Sequence, residues 1–414
     1  MPYNKKMNRI RVIISTFGPL HLIKSAEFLN RLVDVRVIQG WIPSWWNKWV
    51  LCIASYILHR NIFKTIKKRT PEILKGRNVG IALPDFLFWG ARLFRILPWF
   101  KYQVWAASLY GRLQQRYLRD ADIFHVRSGS GGSGAIEKAR SKGMKIVVDH
   151  SIAHANFMDK VLRYEYEKNG VFFDLGMDNP FWKNILDECK KADIILVNSH
   201  FVKDTFIENG FNSDMIKVVY LGVRKDFSFL KKDYNIKDEV LRILFTGGFG
   251  FRKGAEYILR ALCKLDEMNV SYEMTVVGDY SGAIPLIKQY KPKFLNLVNT
   301  VPQDELKSYL ANSDVYLFPS LCEGCASSGM EALAAGLPVI ATIESGLPIT
   351  DGINGMIVES KNIDSIVESL LYIRENSKQR EEFGRNAANL IAEQYTWDKY
   401  AEEVYLLYLQ LLNN

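Results

Sequence analysis

At 414 residues, with 48% hydrophobic and 24% charged residues, the chain has the composition of a globular protein and the length for two domains with their own cores. Its five cysteines, Cys52, Cys189, Cys263, Cys322 and Cys325, show no disulfide framework, and no apolar run reaches the ~18 residues that span a bilayer. The net charge of +9 is concentrated: between Arg36 and Arg119 fifteen Lys or Arg stand against two acids, Glu72 and Asp85, among seven of the nine Trp.

Met1 to Arg9 is polar, and Ile10 to Ile14 is too short for the apolar core of a secretory leader. The protein is expected to be cytoplasmic, or peripheral on the cytoplasmic face of a membrane. Arg9 to Ser15 reads as a buried parallel strand, the turn from Thr16 to His21 lets Pro19 open helix 22–32, and Asp34 to Ile38 is the next strand. Gly40 to Asp120 is basic, Trp-rich and interrupted by Pro43, Pro71, Pro84 and Pro98. It reads as several short helices inserted in the first domain. Trp105, Leu109, Leu113 and Tyr117 share one helical face, and Arg112, Arg116 and Arg119 share another. That pattern suits an anionic membrane surface, where aromatic rings sit at headgroup level. A core helix with a solvated face is the alternative. No nucleic-acid motif accompanies the charge, so no nucleic-acid partner is expected.

Asp120-Ala121-Asp122 has D-x-D form but merely precedes the strand Ile123 to Val126, and no metal is implied. A glycine-rich loop and a helix near 135–141 lead to the strand Ile146 to Val148. Gly129, Gly131 and Gly134 have G-x-G-x-x-G spacing, with Asp149 twenty residues after Gly129, as in a dinucleotide fingerprint. The fingerprint normally follows the first strand of its domain. Here at least two strands precede it, which weighs against NAD(P). Asp149 is expected either to orient and charge the neighbouring His150 or to start the loop. Helix 181–191, strand 192–199, helix 201–209 and strand 216–220 come after it, and the polar stretch Arg224 to Glu239 reads as the interdomain linker.

Leu241 to Thr246 opens a second domain. Between it and the next helix lie four glycines, Gly247, Gly248, Gly250 and Gly254, with Arg252 and Lys253. Backbone N–H groups, a helix N-terminus and two cations make a diphosphate cradle. Strands 272–277 and 295–300 and helix 303–312 come next. From Asp314 to Thr342 the chain reads as strand, Gly- and Ser-rich turn, helix 326–335 and strand 339–341, a βαβ unit of a parallel sheet. Glu323 precedes the helix and Glu331 lies inside it. Two carboxylates at a helix start that can also bind an anion suit a sugar phosphate or nucleotide sugar. Cys322 and Cys325 form a lone C-x-x-C in that turn, without a second pair for a metal. A last strand, 355–358, helices 363–375 and 378–393, a break at Tyr395-Thr396-Trp397 and a terminal helix to Leu412 complete the chain.

Glu323-x7-Glu331, with Pro319-Ser320 before it and E-A-L-A-A-G-L-P-V-I from Glu331 to Ile340, resembles the signature of family 4 retaining glycosyltransferases. The resemblance spans roughly Asp122 to Tyr408 and is strongest over 241–258 and 314–342. It implies an α/β architecture of two Rossmann-like domains facing a cleft, the GT-B fold. Residues 1–225, with the basic aromatic insert 40–120, would take the acceptor and 226–395 the nucleotide sugar, with 396–414 crossing back as a helix onto the first domain. It further implies retaining transfer of a hexose from a nucleotide-diphosphate sugar, UDP- or GDP-linked, to a glycan or lipid-linked acceptor in surface polysaccharide synthesis, with no cofactor.

By the same resemblance, Arg252 and Lys253 with Gly247 and Gly248 would hold the diphosphate, and Glu331 the ribose. Glu323 with Gly324, Cys325, Ala326 and Ser327 would hold the donor sugar. His150 would sit at the reacting carbon, and Gly18, His21 and Arg127 along the acceptor. Family members often carry Arg directly after the first glycine; Gly248 stands there, so Arg252 is expected to take that part. A nucleotide-sugar epimerase or sugar phosphorylase on the same fold, or a non-catalytic subunit of a polysaccharide assembly complex, are the competing readings. The basic aromatic insert weighs against the first, and the intact Glu and Arg-Lys pairs against the second.

Overall fold

The computed structural model describes residues 9–18, 21–42, 71–94 and 99–413, with the side chains of 89–100 excepted. Two parallel sheets organise it. The first has seven strands: β1 (Arg11–Thr16), β2 (Asp34–Gln39), β3 (Asn78–Gly80), β4 (Ile123–Arg127), β5 (Lys145–His150), β6 (Ile194–Val197) and β7 (Ile216–Val218), in the order β3-β2-β1-β4-β5-β6-β7. The second has six: β8 (Leu241–Thr246), β9 (Tyr272–Val277), β10 (Leu295–Val298), β11 (Val315–Phe318), β12 (Val339–Ala341) and β13 (Met356–Ile357), in the order β10-β9-β8-β11-β12-β13. Helices cover both faces of a parallel sheet, which is why runs such as Val12-Ile13-Ile14 and Ile146-Val147-Val148 are apolar without alternation.

The terminal helix Trp397–Asn413 leaves the second domain and packs on the first. Tyr400, Val404, Tyr408 and Leu411 share a core with Val12, Ile14, Leu22 and Leu29. His125 Nδ1 lies 2.6 Å from Tyr408 Oη. The two crossings between domains run side by side: Val223 N–H donates to Tyr395 O at 2.8 Å. A Cβ at Gly222 would stand 2.3 Å from the Trp397 nitrogen, so the crossing requires glycine there.

The insert departs from expectation. Residues 43–70, including Trp45, Trp46 and Trp49, lie outside the described residues. The segment from 71 to 114 holds β3, a strand that the sequence pattern does not signal. It also holds helices Ala82–Phe94 and Trp99–Gln114, of 13 and 16 residues. The second helix turns a different face inward. Ala106, Tyr110 and Gln114 are buried at i, i+4 and i+8, while Trp105 (56%) and Tyr117 (43%) are exposed. The reason is polar. Tyr110 Oη donates to Ile38 O, Ser15 Oγ donates to Gln114 Oε1, and Gln114 donates to Ser130 O, so this helix satisfies strand ends and a loop.

Helix Ala155–Lys168, which the sequence pattern also does not signal, ties the domains together. Its Glu165 is buried and accepts from Tyr257 Oη at 2.9 and 3.0 Å, with Lys361 Nζ at 2.8 Å, both from the second domain. Reciprocally, buried Glu256 of the second domain takes Lys168 Nζ at 2.7 Å and Asn169 Nδ2 at 3.1 Å. Breaking a fully buried ion pair costs about 3–5 kcal/mol, and the roughly one-third exposure of Lys361 and Lys168 reduces that. Replacing Glu165 with Ala is expected to lower stability by on the order of 2 kcal/mol in denaturant titration, with non-additive loss when combined with Tyr257→Phe. Additive effects would show that the two groups act independently.

Candidate functional site

In each sheet the strand order reverses beside the first strand, between β1 and β4 and between β8 and β11. Open parallel sheets bind ligands in the crevice at the carboxyl ends of such neighbours.

In the second domain that crevice is built by two turns stitched together. The turn after β8 runs through Gly247 to Gly254 into helix Ala255–Glu267, and the turn after β11 runs from Pro319 to Ala326 into helix Ser327–Ala335. Leu321 N–H and Ser320 Oγ both donate to Arg252 O, at 2.9 and 3.0 Å, and Arg252 Nη1 donates to Cys322 O at 2.9 Å. Gly254 has φ +75°, and a Cβ there would stand 2.0 Å from Pro319 O, so the close approach of the turns needs glycine twice over. The stitching places three charges together. Arg252 Nη1 lies 2.5 Å and Lys253 Nζ 3.6 Å from Glu323 Oε1. Lys253 also lies over the Phe318 ring, 5.0 Å from its centroid. Burial works against both cations. It holds the Lys253 ammonium below its usual pKa despite Glu323, whereas for Arg252 the Glu323 charge and hydrogen bond outweigh burial and raise it. A Cβ at Gly248 would meet nothing within 4 Å, so this wall is open and Arg252 is the arginine at hand.

Glu331 sits in the helix that continues from this turn, and burial lifts its carboxyl to about 7, with Arg224 opposing and Asp226 adding. Tyr316 Oη donates to Ser328 Oγ at 2.9 Å, Cys325 is buried in the core, and the Ala326 N–H donates to Ser345 O at 3.2 Å. The Ala326 amide is therefore engaged within the protein. Ser327 lies exposed at the helix start. Burial raises both thiols of the C-x-x-C, that of Cys322 to about 12. Among the described residues no group of three or more His, Cys, Asp or Glu is arranged for a metal ion.

In the first domain a cavity of about 880 Å³ opens at the ends of β1, β4 and β5. Gly18, Arg127, His150 and Ser151 line it beside apolar Phe173 and Trp182, and Arg252 reaches its edge from the other domain. His150 is 2% exposed, and burial, with Arg127 adding, lowers its pKa to about 3, so the ring is neutral. Its Nδ1 lies 2.9 Å from Ser128 Oγ, and its Nε2 is buried with no protein partner. Ser151, one residue on, meets the second domain. A Cβ at Gly324 would stand 2.1 Å from Ser151 O, and Ser199 Oγ donates to Gly324 O. The Glu323 turn is thus pressed against the His150 strand end.

Asp149, His21 and the Gly129 loop each have partners within the protein. Asp149 does not charge His150. Side chains alternate along β5, and Asp149 instead takes His21 Nε2 at 3.0 Å and Arg127 Nη1 at 2.7 Å. His21, held by Asp149, is not among the residues that line the cavity, whereas Gly18 and Arg127 are. The Gly129 loop does not offer its amides to a dinucleotide: Gly129 and Gly131 N–H donate to Glu188 Oε2 at 2.8 and 3.0 Å. Asp122, of the D-x-D, binds Arg11 at 2.7 Å. Sequence reasoning missed Ser128 and Glu188. For Glu188 the signal was present, an acid on the same helical stripe as Trp182 and Ile185.

A family model described as Glycosyl transferases group 1 matches residues 226–390, and one described as Glycosyltransferase Family 4 matches residues 68–227. An uncharacterized glycosyltransferase of Methanocaldococcus jannaschii is 26% identical over 67% of this chain and 71% of its own length. The amylovoran biosynthesis glycosyltransferase AmsK of Erwinia amylovora is 27% identical over 46% of this chain and 51% of its own. Three further curated relatives are matched over 54–60% of their length. Among solved structures, HepE of Anabaena in complex with UDP-glucose superposes with a TM-score of 0.61 at 12% identity, covering 97% of this chain and 100% of that one. At that identity the likeness is one of fold.

Proposed function

The chain belongs to the family 4 glycosyltransferases, of GT-B fold, and from that premise we propose that it transfers a hexose, with retention of configuration, from a nucleotide-diphosphate sugar to a glycan or lipid-linked acceptor in polysaccharide synthesis. The observation that carries this reading is the Arg252–Lys253–Glu323 cluster at a helix N-terminus, pressed against the cavity that holds His150. Charge develops on the departing diphosphate as the glycosidic bond breaks. Preorganised cations and helix N–H groups stabilise that charge most where water is excluded. Arg252 and Lys253 bind the diphosphate, the ribose hydroxyls donate to Glu331, and Glu323 orients the sugar between the cations and the cavity. His150 presents Nε2 to the donor sugar at the cavity wall. Attack from the face that the leaving group vacates needs no protein nucleophile.

Two names among the relatives support the direction: HepE was solved with UDP-glucose, and AmsK is named for amylovoran biosynthesis. UDP or GDP is the proposed leaving group, with no cofactor and no nucleic-acid partner.

A thermal-shift panel of UDP, GDP, ADP, CDP and NAD, with Lys253→Ala as control, tests the donor assignment. A ligand at ~100 times its dissociation constant adds about 2.7 kcal/mol. Stabilisation by one nucleoside diphosphate, lost in Lys253→Ala, is expected; stabilisation by NAD that survives the substitution would overturn the reading.

We also propose that the basic aromatic insert, 40–120, rests on an anionic membrane surface at the cytoplasmic face. Exposed Trp105 and Tyr117, alongside exposed Arg112 and Arg116, support this, although no helix among the described residues is long and apolar enough to cross a membrane. Reversing Arg112 and Arg116 to Glu is expected to weaken binding to phosphatidylserine vesicles at low salt. Unchanged binding would make this a plain solvated face.

A further inference from the structure

β4 and β5 are parallel neighbours with Arg127 opposite Asp149, so the residues just beyond, Ser128 and His150, emerge side by side. Ser128 N–H donates to Asp149 O at 2.9 Å and extends the ladder by one residue. Its Oγ then lies 2.9 Å from His150 Nδ1. The other ring nitrogen is buried without a partner at the cavity wall, and Phe206 meets the ring at 66° with centroids 5.0 Å apart. Packing therefore sets the plane of the imidazole, and Ser128 is its polar anchor.

What holds Ser128 is unusual. The chain turns at once into Gly129, with φ +86°, and the loop wraps a carboxylate. Glu188 is 3% exposed and accepts from Gly129 and Gly131 N–H. A Cβ at Gly131 would stand 3.2 Å from its Oε2, and one at Gly132 3.1 Å from its Oε1. Successive backbone N–H groups in such a concavity bind anions. Here the anion site with dinucleotide-like spacing is filled by the protein's own side chain. Burial pushes the Glu188 carboxyl up to about 8, against the amides, so this carboxyl group is held in place at a cost in desolvation.

We propose that Ser128 is a positioning residue that fixes the orientation of His150, and that Glu188, by filling the Gly129–Gly132 loop, holds Ser128 in register. A hydroxyl can donate to Nδ1 or accept from it, so the bond fixes which edge of the ring faces Ser128 and which faces the cavity. The role of this bond in turnover rests on the transferase reading; its effect on the ring does not.

The test uses Ser128→Ala and Ser128→Thr in the full chain. With ¹⁵N-labelled histidine, and His150→Gln to assign the signal, the His150 Nδ1 resonance is expected to be the same in wild type and Ser128→Thr and to move in Ser128→Ala, where the hydrogen bond is lost. With the donor identified, kcat in Ser128→Ala is expected to fall on the order of 10- to 100-fold with donor KM within about twofold, and Ser128→Thr to restore it. An unchanged Nδ1 resonance in Ser128→Ala would overturn the proposal whatever the substrate. A moved resonance with wild-type kcat would overturn the positioning role. A moved resonance in a protein that no nucleoside diphosphate stabilises would count against the transferase assignment instead, and leave the Ser128–His150 bond standing.

Discussion

Two adjacent cations in a partly buried turn need an anion beside them. At an effective dielectric of about 20, like charges ~4 Å apart repel by about 4 kcal/mol. In this protein the answer is Glu323, delivered from a different βα turn to within 2.5 Å of Arg252 and 3.6 Å of Lys253. Much of the second domain's loop structure serves that meeting. Both Ser320 and Leu321 bond to the Arg252 carbonyl, Arg252 bonds to the Cys322 carbonyl, and Gly254 admits Pro319 at a distance no side chain allows. The cluster keeps a net positive charge at the start of a helix, where a diphosphate gains from cations and helix dipole together.

The first domain approaches that cluster through one strand end. His150 closes β5, Ser151 abuts Gly324, and helix Ala155–Lys168 then carries Tyr166 onto Phe251, with ring centroids 4.9 Å apart, and Glu165 into the second domain's Tyr257 and Lys361. Segments that come after His150 thus contact both turns holding the charge cluster. A motion that separates the domains must break buried carboxylate contacts on both sides of the seam. Such contacts give closure a defined geometry more than they add net stability.

Much of this was legible before any coordinates. Strands β8, β9 and β12 fall at the residues expected from their apolar runs, because buried parallel strands have a distinctive composition and glycines mark their ends. Arg252, Lys253 and Glu323 were singled out separately and meet in space, since each sits at a strand–helix turn and the topology brings such turns to one edge. What the sequence left open has physical causes. The helix Trp99–Gln114 buries Tyr110 and Gln114 through hydrogen bonds, which an apolar-stripe reading does not signal. Asp149 and His150 are adjacent in sequence yet point to opposite faces and take different partners, so adjacency left the acid's role open. The glycine spacing at Gly129 was real, and an acid on the buried stripe of helix Pro180–Lys190 was visible, but sequence does not reveal that the two meet. Ser128 had no signal beyond its place after a strand.

The most direct test is a crystal structure of the protein with the nucleoside diphosphate that stabilises it. Phosphate oxygens are expected within hydrogen-bond reach of Arg252 Nη and Lys253 Nζ at the start of helix Ala255–Glu267, with the ribose on Glu331 and the Gly129 loop still closed on Glu188. A diphosphate seated in the Gly129–Gly134 loop with Glu188 displaced, leaving Arg252 and Lys253 paired to Glu323 alone, would contradict it.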